Sequence, residues 1–153
     1  MRLRLVREPF DHPDYISELK HGGFRAVAYL YYGDCKLISR NMKFMRFDSL
    51  RSELAKLSVV DAIIDGEVVC LDGLGVSRFN ELLSKKSQPV FYAFDLLWIN
   101  GEDTRQQPLL ERKQRLGALV RSRQCEQIIY AQHIERGKGL LAIRNSVTPS
   151  QAR

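Results

Sequence analysis

Glu18-Leu19-Lys20-His21-Gly22-Gly23-Phe24-Arg25 is the stretch on which the reading of this chain turns. A lysine closes a short strand-like run, Tyr15-Ile16-Ser17-Glu18-Leu19, and two glycines follow soon after it. Arg25 then opens a second run, Ala26-Val27-Ala28-Tyr29-Leu30-Tyr31-Tyr32. Glycine lets a backbone turn sharply or approach a ligand closely. Lys20 and Arg25 are therefore expected to project into one pocket, an arrangement that suits a polyphosphate. Glu18, two residues before Lys20, falls on the same face of a strand. Lysine also becomes a nitrogen nucleophile where burial or neighbouring cations make its amine available. Taken alone, such a string is more often an ordinary hairpin with solvated cations.

Working outward, residues 14 to 40 read as three strands: Tyr15 to Lys20, Phe24 to Tyr32 and Cys35 to Arg40, with Gly33-Asp34 as the hairpin turn between the last two. Phe47, Leu50, Leu54 and Leu57 recur at helical spacing, which predicts an amphipathic helix over Arg46 to Leu57. Asp48-Ser49 near its start suits the positive end of the helix dipole. Asp61 to Leu71 returns to strand and carries Asp65-Gly66-Glu67 within an apolar run. Burying an unpaired carboxylate is costly, so these acids are expected to pair with cations, bind a metal or hydrogen-bond a ligand's hydroxyls. Phe79 to Leu83 reads as a short helix. Val90 to Ile99 is a nearly unbroken apolar strand, expected to be buried on both faces and interrupted only by Asp95. Pro108 opens a helix whose inner face is predicted to be Leu109, Leu116, Leu119 and Val120. Ile128 to Ala131 reads as a further strand and Glu135 to Asn145 as a final helix.

The 153 residues suffice for one domain with a proper core, and 44% hydrophobic with 27% charged residues is ordinary for a soluble protein. No run approaches the roughly 20 apolar residues of a membrane span. The basic start, Met1 to Arg7, lacks the apolar core of a signal peptide. A cytoplasmic location is the expectation. Three scattered cysteines form no metal or disulfide pattern, and Cys35 and Cys70 lie in apolar runs that suit core packing. A net charge of +6 favours polyanionic partners, although a merely soluble basic surface has the same balance.

Lys20 to Arg25, Ser39-Arg40-Asn41, Asp65-Gly66-Glu67 and Phe91-Tyr92-Ala93-Phe94-Asp95-Leu96-Leu97 follow in that order. The series resembles the nucleotidyltransferase motifs of ATP-dependent DNA ligases, especially the bacterial ligases linked to end joining, and the likeness runs from about Glu18 to about Ile143. Lys20 to Arg25 is similar to the family's K-x-D-G-x-R motif, Asp65 to Glu67 to its D-G-E motif, and Phe91 to Leu97 to its apolar strand with F-D followed by two more apolar residues. The resemblance implies an α+β fold, with antiparallel sheets flanked by helices in the ATP-grasp-like nucleotidyltransferase core of DNA ligases, lacking its C-terminal part. It implies ATP as substrate, Mg²⁺ as cofactor, and nicked or broken duplex DNA as partner. Lys20 is then the nucleophile that forms lysyl-AMP. Glu18 lies by the adenine edge, Arg25 and Arg40 hold sugar or phosphates, Glu67 contacts the ribose and supports the metal, and Phe94 stacks on the purine. Asp95 stays outside this set as a loop anchor. An RNA ligase, a capping-type nucleotidyltransferase and a non-catalytic nucleotide- or DNA-binding remnant are the alternatives.

Departures from the family motifs accompany the likeness. Gly22 stands where the family has aspartate, and Met42 where glycine is usual after Ser39-Arg40-Asn41. The expected organisation is a lead-in over 1–13, a partial adenylation domain over 14–143 and a divergent polar tail over 144–153, with no oligonucleotide-binding domain. The family's later E-G motif and lysine pair are not found in that tail, so a second chain or domain supplying them is a further expectation.

Overall fold

The computed structural model describes residues 14–84 and 88–134. The predicted lead-in over 1–13, the final helix from Glu135 and the polar tail lie outside the described residues. The chain divides into two compact units, Met1–Lys20 with Ala131–Arg153, and His21–Tyr130.

In the first unit, β1 (Ser17–Glu18) pairs antiparallel with β8 (His133–Ile134), Glu18 facing His133. Of the expected strand from Tyr15 to Lys20, the paired part that is described is Ser17–Glu18. Lys20 is exposed and lies beyond the pairing.

The second unit is built on a sheet whose strands are, in chain order, β2 (Phe24–Tyr31), β3 (Asp34–Ser39), β4 (Asp61–Cys70), β5 (Pro89–Ile99), β6 (Glu102–Asp103) and β7 (Ile128–Tyr130). Their spatial order is β3-β2-β4-β5-β6, antiparallel throughout, and β7 joins β5 in parallel. Alternation separates two faces. Ala26, Ala28 and Leu30 of β2, Ala62, Ile64 and Val68 of β4, and Phe91, Ala93 and Leu96 of β5 are buried. Against this face pack α1 (Asp48–Leu54) through Leu50 and Leu54, α2 (Phe79–Ser84) through Leu82, and α3 (Leu109–Arg123) through Leu116, Leu119 and Val120. Cys35 and Cys70 are buried among them, and desolvation pushes the Cys35 thiol up to about 12. This is the expected α+β arrangement of antiparallel strands flanked by helices.

Three details differ from the pattern reading. The two residues with positive φ in the β2–β3 hairpin are Tyr32 and Gly33, and Asp34 already pairs with Tyr31. The turn is thereby shifted one residue from Gly33-Asp34, since a two-residue loop with both φ values positive matches the strand twist. β5 is fully buried on only one face; Tyr92, Phe94 and Trp98 remain half-buried. In α3, Leu109 is exposed while Lys113 is wholly buried, because its amine reaches a β5 carbonyl, that of Phe94.

The turn after β3 gives a first expected outcome. The Ser39 carbonyl accepts from Met42 N–H at 2.9 Å, and Ser39 N–H donates to the Lys43 carbonyl, also at 2.9 Å. Closing this loop puts Met42 at φ 56, left-handed for a residue with a Cβ. Met42→Gly removes that strain while adding unfolded-state freedom. A net gain of about 0.5–1 kcal/mol is expected in urea unfolding; a loss would show that the Met42 side chain contributes more than its backbone strain costs.

Candidate active site

The second face of the sheet carries the polar residues. Arg25 of β2 stands opposite Glu67 of β4, and Glu67 in turn stands opposite Tyr92 of β5, so three strands align these side chains in one row. Asp65 occupies the next outward-facing position of β4, across from Val27 and Asp95. Arg25 Nε donates to Asp65 Oδ1 at 2.7 Å and its Nη2 donates to Asp65 Oδ2, a two-pronged contact. The Arg25 guanidinium also lies 4.9 Å from the centre of the Phe94 ring. Because Arg25 is half exposed, the pair adds little to stability, on the order of 1 kcal/mol or less. Its consequence is geometric: the guanidinium is held beside an aromatic ring while half exposed, and its planar fork suits phosphate oxygens.

The segment leading into β2 is held from several sides. His21 stacks on Tyr92 with ring centres 3.8 Å apart and an interplanar angle of 25°. Burial pushes the Tyr92 hydroxyl pKa up. The Ser77 hydroxyl donates to the Gly22 carbonyl. Gly23 lies so close to β4 that a methyl group there would collide with the Val68 carbonyl and stand 2.7 Å from Val69 Cγ1. Neither Gly22 nor Gly23 has a positive φ among the described backbone angles. Gly23 therefore serves close approach to β4, and neither glycine makes the sharp turn towards a ligand that the sequence suggested. A side chain at Gly22 meets only Ser77 Oγ, at 3.8 Å, an ordinary contact.

The predicted site residues thus divide. Arg25, Glu67 and Phe94 share one face of the sheet. Arg40 follows Ser39, which pairs with Ala26, so Arg40 and Arg25 lie at the same end of the β2–β3 hairpin. Glu18 and Lys20 belong to the first unit. Sequence reasoning left His21 and Tyr92 without roles, whereas Asp65 takes up one of the alternatives open to the acids of its strand, pairing with a cation, Arg25. Tyr92 had a readable signal, its two-residue spacing from Phe94, and Asp65 was already an acid in an apolar strand. Asp95, expected to anchor loops, is instead tied to a helix: Arg112 of α3 grips both its carboxylate oxygens, at 2.8 and 2.9 Å.

For a metal, no group of three or more His, Cys, Asp or Glu ligands occurs among the described residues. Mg²⁺ needs no such group, since it is commonly held by one or two carboxylates together with substrate phosphates. Glu67, opposite Arg25 and Tyr92 in the row, is the residue that would hold such an ion, and Mg²⁺ would there neutralise phosphate charge. No helix among the described residues is long and apolar enough to cross a membrane.

A twisted antiparallel sheet with helices on one face and arginine, carboxylates and aromatics on the other is the architecture of the ligase nucleotidyltransferase domain. The ligase domain of Mycobacterium tuberculosis LigD matches it with a TM-score of 0.73 at 23% identity, over 86% of this chain and 44% of that one. A mycobacterial DNA ligase D complexed with ATP and MES matches at 0.71 and 22% identity, over 86% of this chain and 44% of that one. Residues 4–147 match the family model of the ATP dependent DNA ligase domain, and the chain belongs to that family. It is 32% identical over 126 residues to the SPbeta prophage-derived DNA ligase-like protein LigB of Bacillus subtilis strain 168, covering 78% of this chain and 46% of that protein. Against the multifunctional non-homologous end joining protein LigD of Pseudomonas aeruginosa PAO1 it is 33% identical over 126 residues, covering 78% of this chain and 15% of that protein. The chain therefore spans less than half the length of these curated relatives.

Proposed function

We propose that the chain performs the adenylation chemistry of an ATP-dependent DNA ligase, with Lys20 as the acceptor. The Lys20 amine attacks the α-phosphorus of ATP; an N–P bond forms, the bond to the bridging oxygen breaks, pyrophosphate leaves and the amine proton passes to solvent. AMP then moves to a DNA 5′-phosphate, and a 3′-hydroxyl displaces it to seal the nick. Arg25 binds phosphate or sugar oxygens, Glu67 the ribose, Phe94 the face of the purine, and Glu18 its edge, while Arg40 holds the nucleotide or the DNA 5′-phosphate. The observation that carries the reading is the row Arg25–Glu67–Tyr92 with Phe94 beside it: a fixed guanidinium next to an aromatic face is what a purine nucleotide requires. Duplex DNA with nicks or breaks is the proposed substrate, in repair or recombination, and the charge of +6 favours it.

The test is covalent labelling. Protein shown to be folded by circular dichroism is incubated with Mg²⁺ and ATP labelled at either the α- or the γ-phosphate, then denatured. Label retained from the α-position alone supports lysyl-AMP; label from GTP but not ATP points to a capping-type enzyme. No label from either overturns the catalytic reading and leaves a binding fragment.

Gly22 supplies a second outcome. The pocket at this position is open enough for a carboxylate, so Gly22→Asp is expected to keep its stability within about 1 kcal/mol, as surface changes usually do. Restoring the acid is expected to raise the labelling rate at least tenfold, roughly the worth of one electrostatic group near a reacting centre. An unchanged rate in a folded variant would mean that the glycine is not what limits the reaction.

A further inference from the structure

Phe94 owes its place to a break in the strand ladder. Asp65 faces Asp95 and Gly66 faces Ala93, so one step of β4 spans two steps of β5 and Phe94 has no residue opposite it on β4. Such a bulge bends the strand and re-aims the side chain it carries. It also takes the extra residue's peptide groups out of the ladder, and in a buried layer each needs another partner.

α3 supplies that partner. Lys113 is wholly buried, its Nζ donates to the Phe94 carbonyl at 3.1 Å, and it lies 5.1 Å from the centre of the Tyr130 ring. One residue earlier, Arg112 closes its two-pronged contact on Asp95 and also donates to the Gln107 carbonyl. The Asp95 carboxylate accepts, in addition, the Leu96 N–H at 2.8 Å. Two neighbouring cations of one helix thus hold two neighbouring residues of the bulge. A leucine or methionine at position 113 would fill the same space without the cost of burying an amino group, but it would leave the bulged carbonyl without its donor.

We infer that Lys113, assisted by Arg112, is a positioning residue for the Phe94 ring: the pair fixes the bulge so that the ring lies against the Arg25 guanidinium and offers its free face to a purine. The inference rests on the reading of this face as a nucleotide site. Neither residue touches the nucleotide; they act through Phe94 alone, and they therefore affect binding of the base and not the reactivity of the phosphate.

The experiment measures ATP affinity by calorimetry for the full chain, Phe94→Leu, Lys113→Met and the double variant. Loss of stacking in Phe94→Leu is expected to weaken ATP roughly tenfold. Lys113→Met is expected to weaken it by a similar factor and to add nothing once Phe94 is gone. Independent, multiplying losses, or no loss in Lys113→Met, overturn the inference, because a role confined to stability would not depend on Phe94. If Lys113→Met does not fold, Arg112→Lys, which keeps the charge but loses the fork, is put through the same cycle with the same two outcomes. A nucleotide-free readout separates this inference from the proposed function. The Phe94 ring current displaces the Arg25 Hε resonance, and Lys113→Met or Arg112→Lys is expected to move it. Should the wild type not bind ATP at all, the nucleotide reading fails, and an Arg25 resonance that stays in place in both variants overturns the positioning role as well.

Discussion

Lys20→Ala is expected to bring covalent labelling by ATP to background, a fall of at least about a thousandfold, as happens when an enzyme loses the atom that makes its covalent bond. An amine is required because the intermediate is an N–P bond, and alanine has no nucleophile to substitute. Lys20 is exposed and lies beyond the β1–β8 pairing, so its truncation removes no buried contact, and the melting temperature is expected to stay within a degree or two. Nucleotide affinity is expected to change only a few-fold, since the proposed contacts of the purine and sugar lie on Phe94, Glu67 and Arg25. Lys20→Arg is the stricter comparison: it keeps the positive charge yet supplies no free amine, because guanidinium stays protonated. It too is expected to show no label. Persistent label in both variants would move the nucleophile elsewhere, first to the neighbouring His21, whose ring nitrogen can also carry a phosphoryl group. A His21→Phe variant, which retains the stack on Tyr92, then separates the two.

Much of the scaffold was legible in sequence. β2, β4, β5, α1 and α3 lie within a few residues of their predicted bounds, since long runs with a clear period leave little freedom. What escaped the pattern has particular causes. Lys113 sits in the apolar stripe of α3, four residues from Leu109 and three from Leu116, yet a lysine in such a stripe reads as a solvated charge until the carbonyl it serves is known. That carbonyl exists because of the bulge, and a bulge depends on how two distant strands count against each other. The parallel pairing of β7 with β5 is equally non-local. Of the site, the types of residue were legible, and the spacing of two between Glu67 and Asp65, or Phe94 and Tyr92, already put them on common faces. The contacts among them, Arg25 with Asp65 and His21 with Tyr92, join residues tens of positions apart and follow only from register.

Gly66→Ala is expected to cost about 3 kcal/mol or more in urea unfolding, at the upper end of overpacking effects. Gly66 lies mid-strand in β4, and a methyl group there would point into the buried layer. It would collide with the tip of the Phe91 ring, with Cε1 at 2.8 Å, and with the Tyr92 carbonyl. Phe91 is wholly buried and cannot swing aside without opening the core beneath α3. The Tyr92 carbonyl is backbone, on the strand paired with β4, so it can retreat only if the two strands part. A domain of this size has about two to three times that stability in total. Gly73→Ala is the control, since nothing lies within 4 Å of a methyl group there. A loss below about 1 kcal/mol at Gly66 would mean that the sheet widens at little cost, and the glycine between Asp65 and Glu67 would then need a reason other than packing. The same displacement reaches the site. Moving β5 away from β4 carries Tyr92 and Phe94 away from Glu67 and Arg25, so nucleotide affinity is expected to fall even in the fraction of molecules that remains folded. The glycine of this motif thereby connects the two faces of the sheet: absence of a side chain on the buried face sets the strand spacing on which the polar face depends.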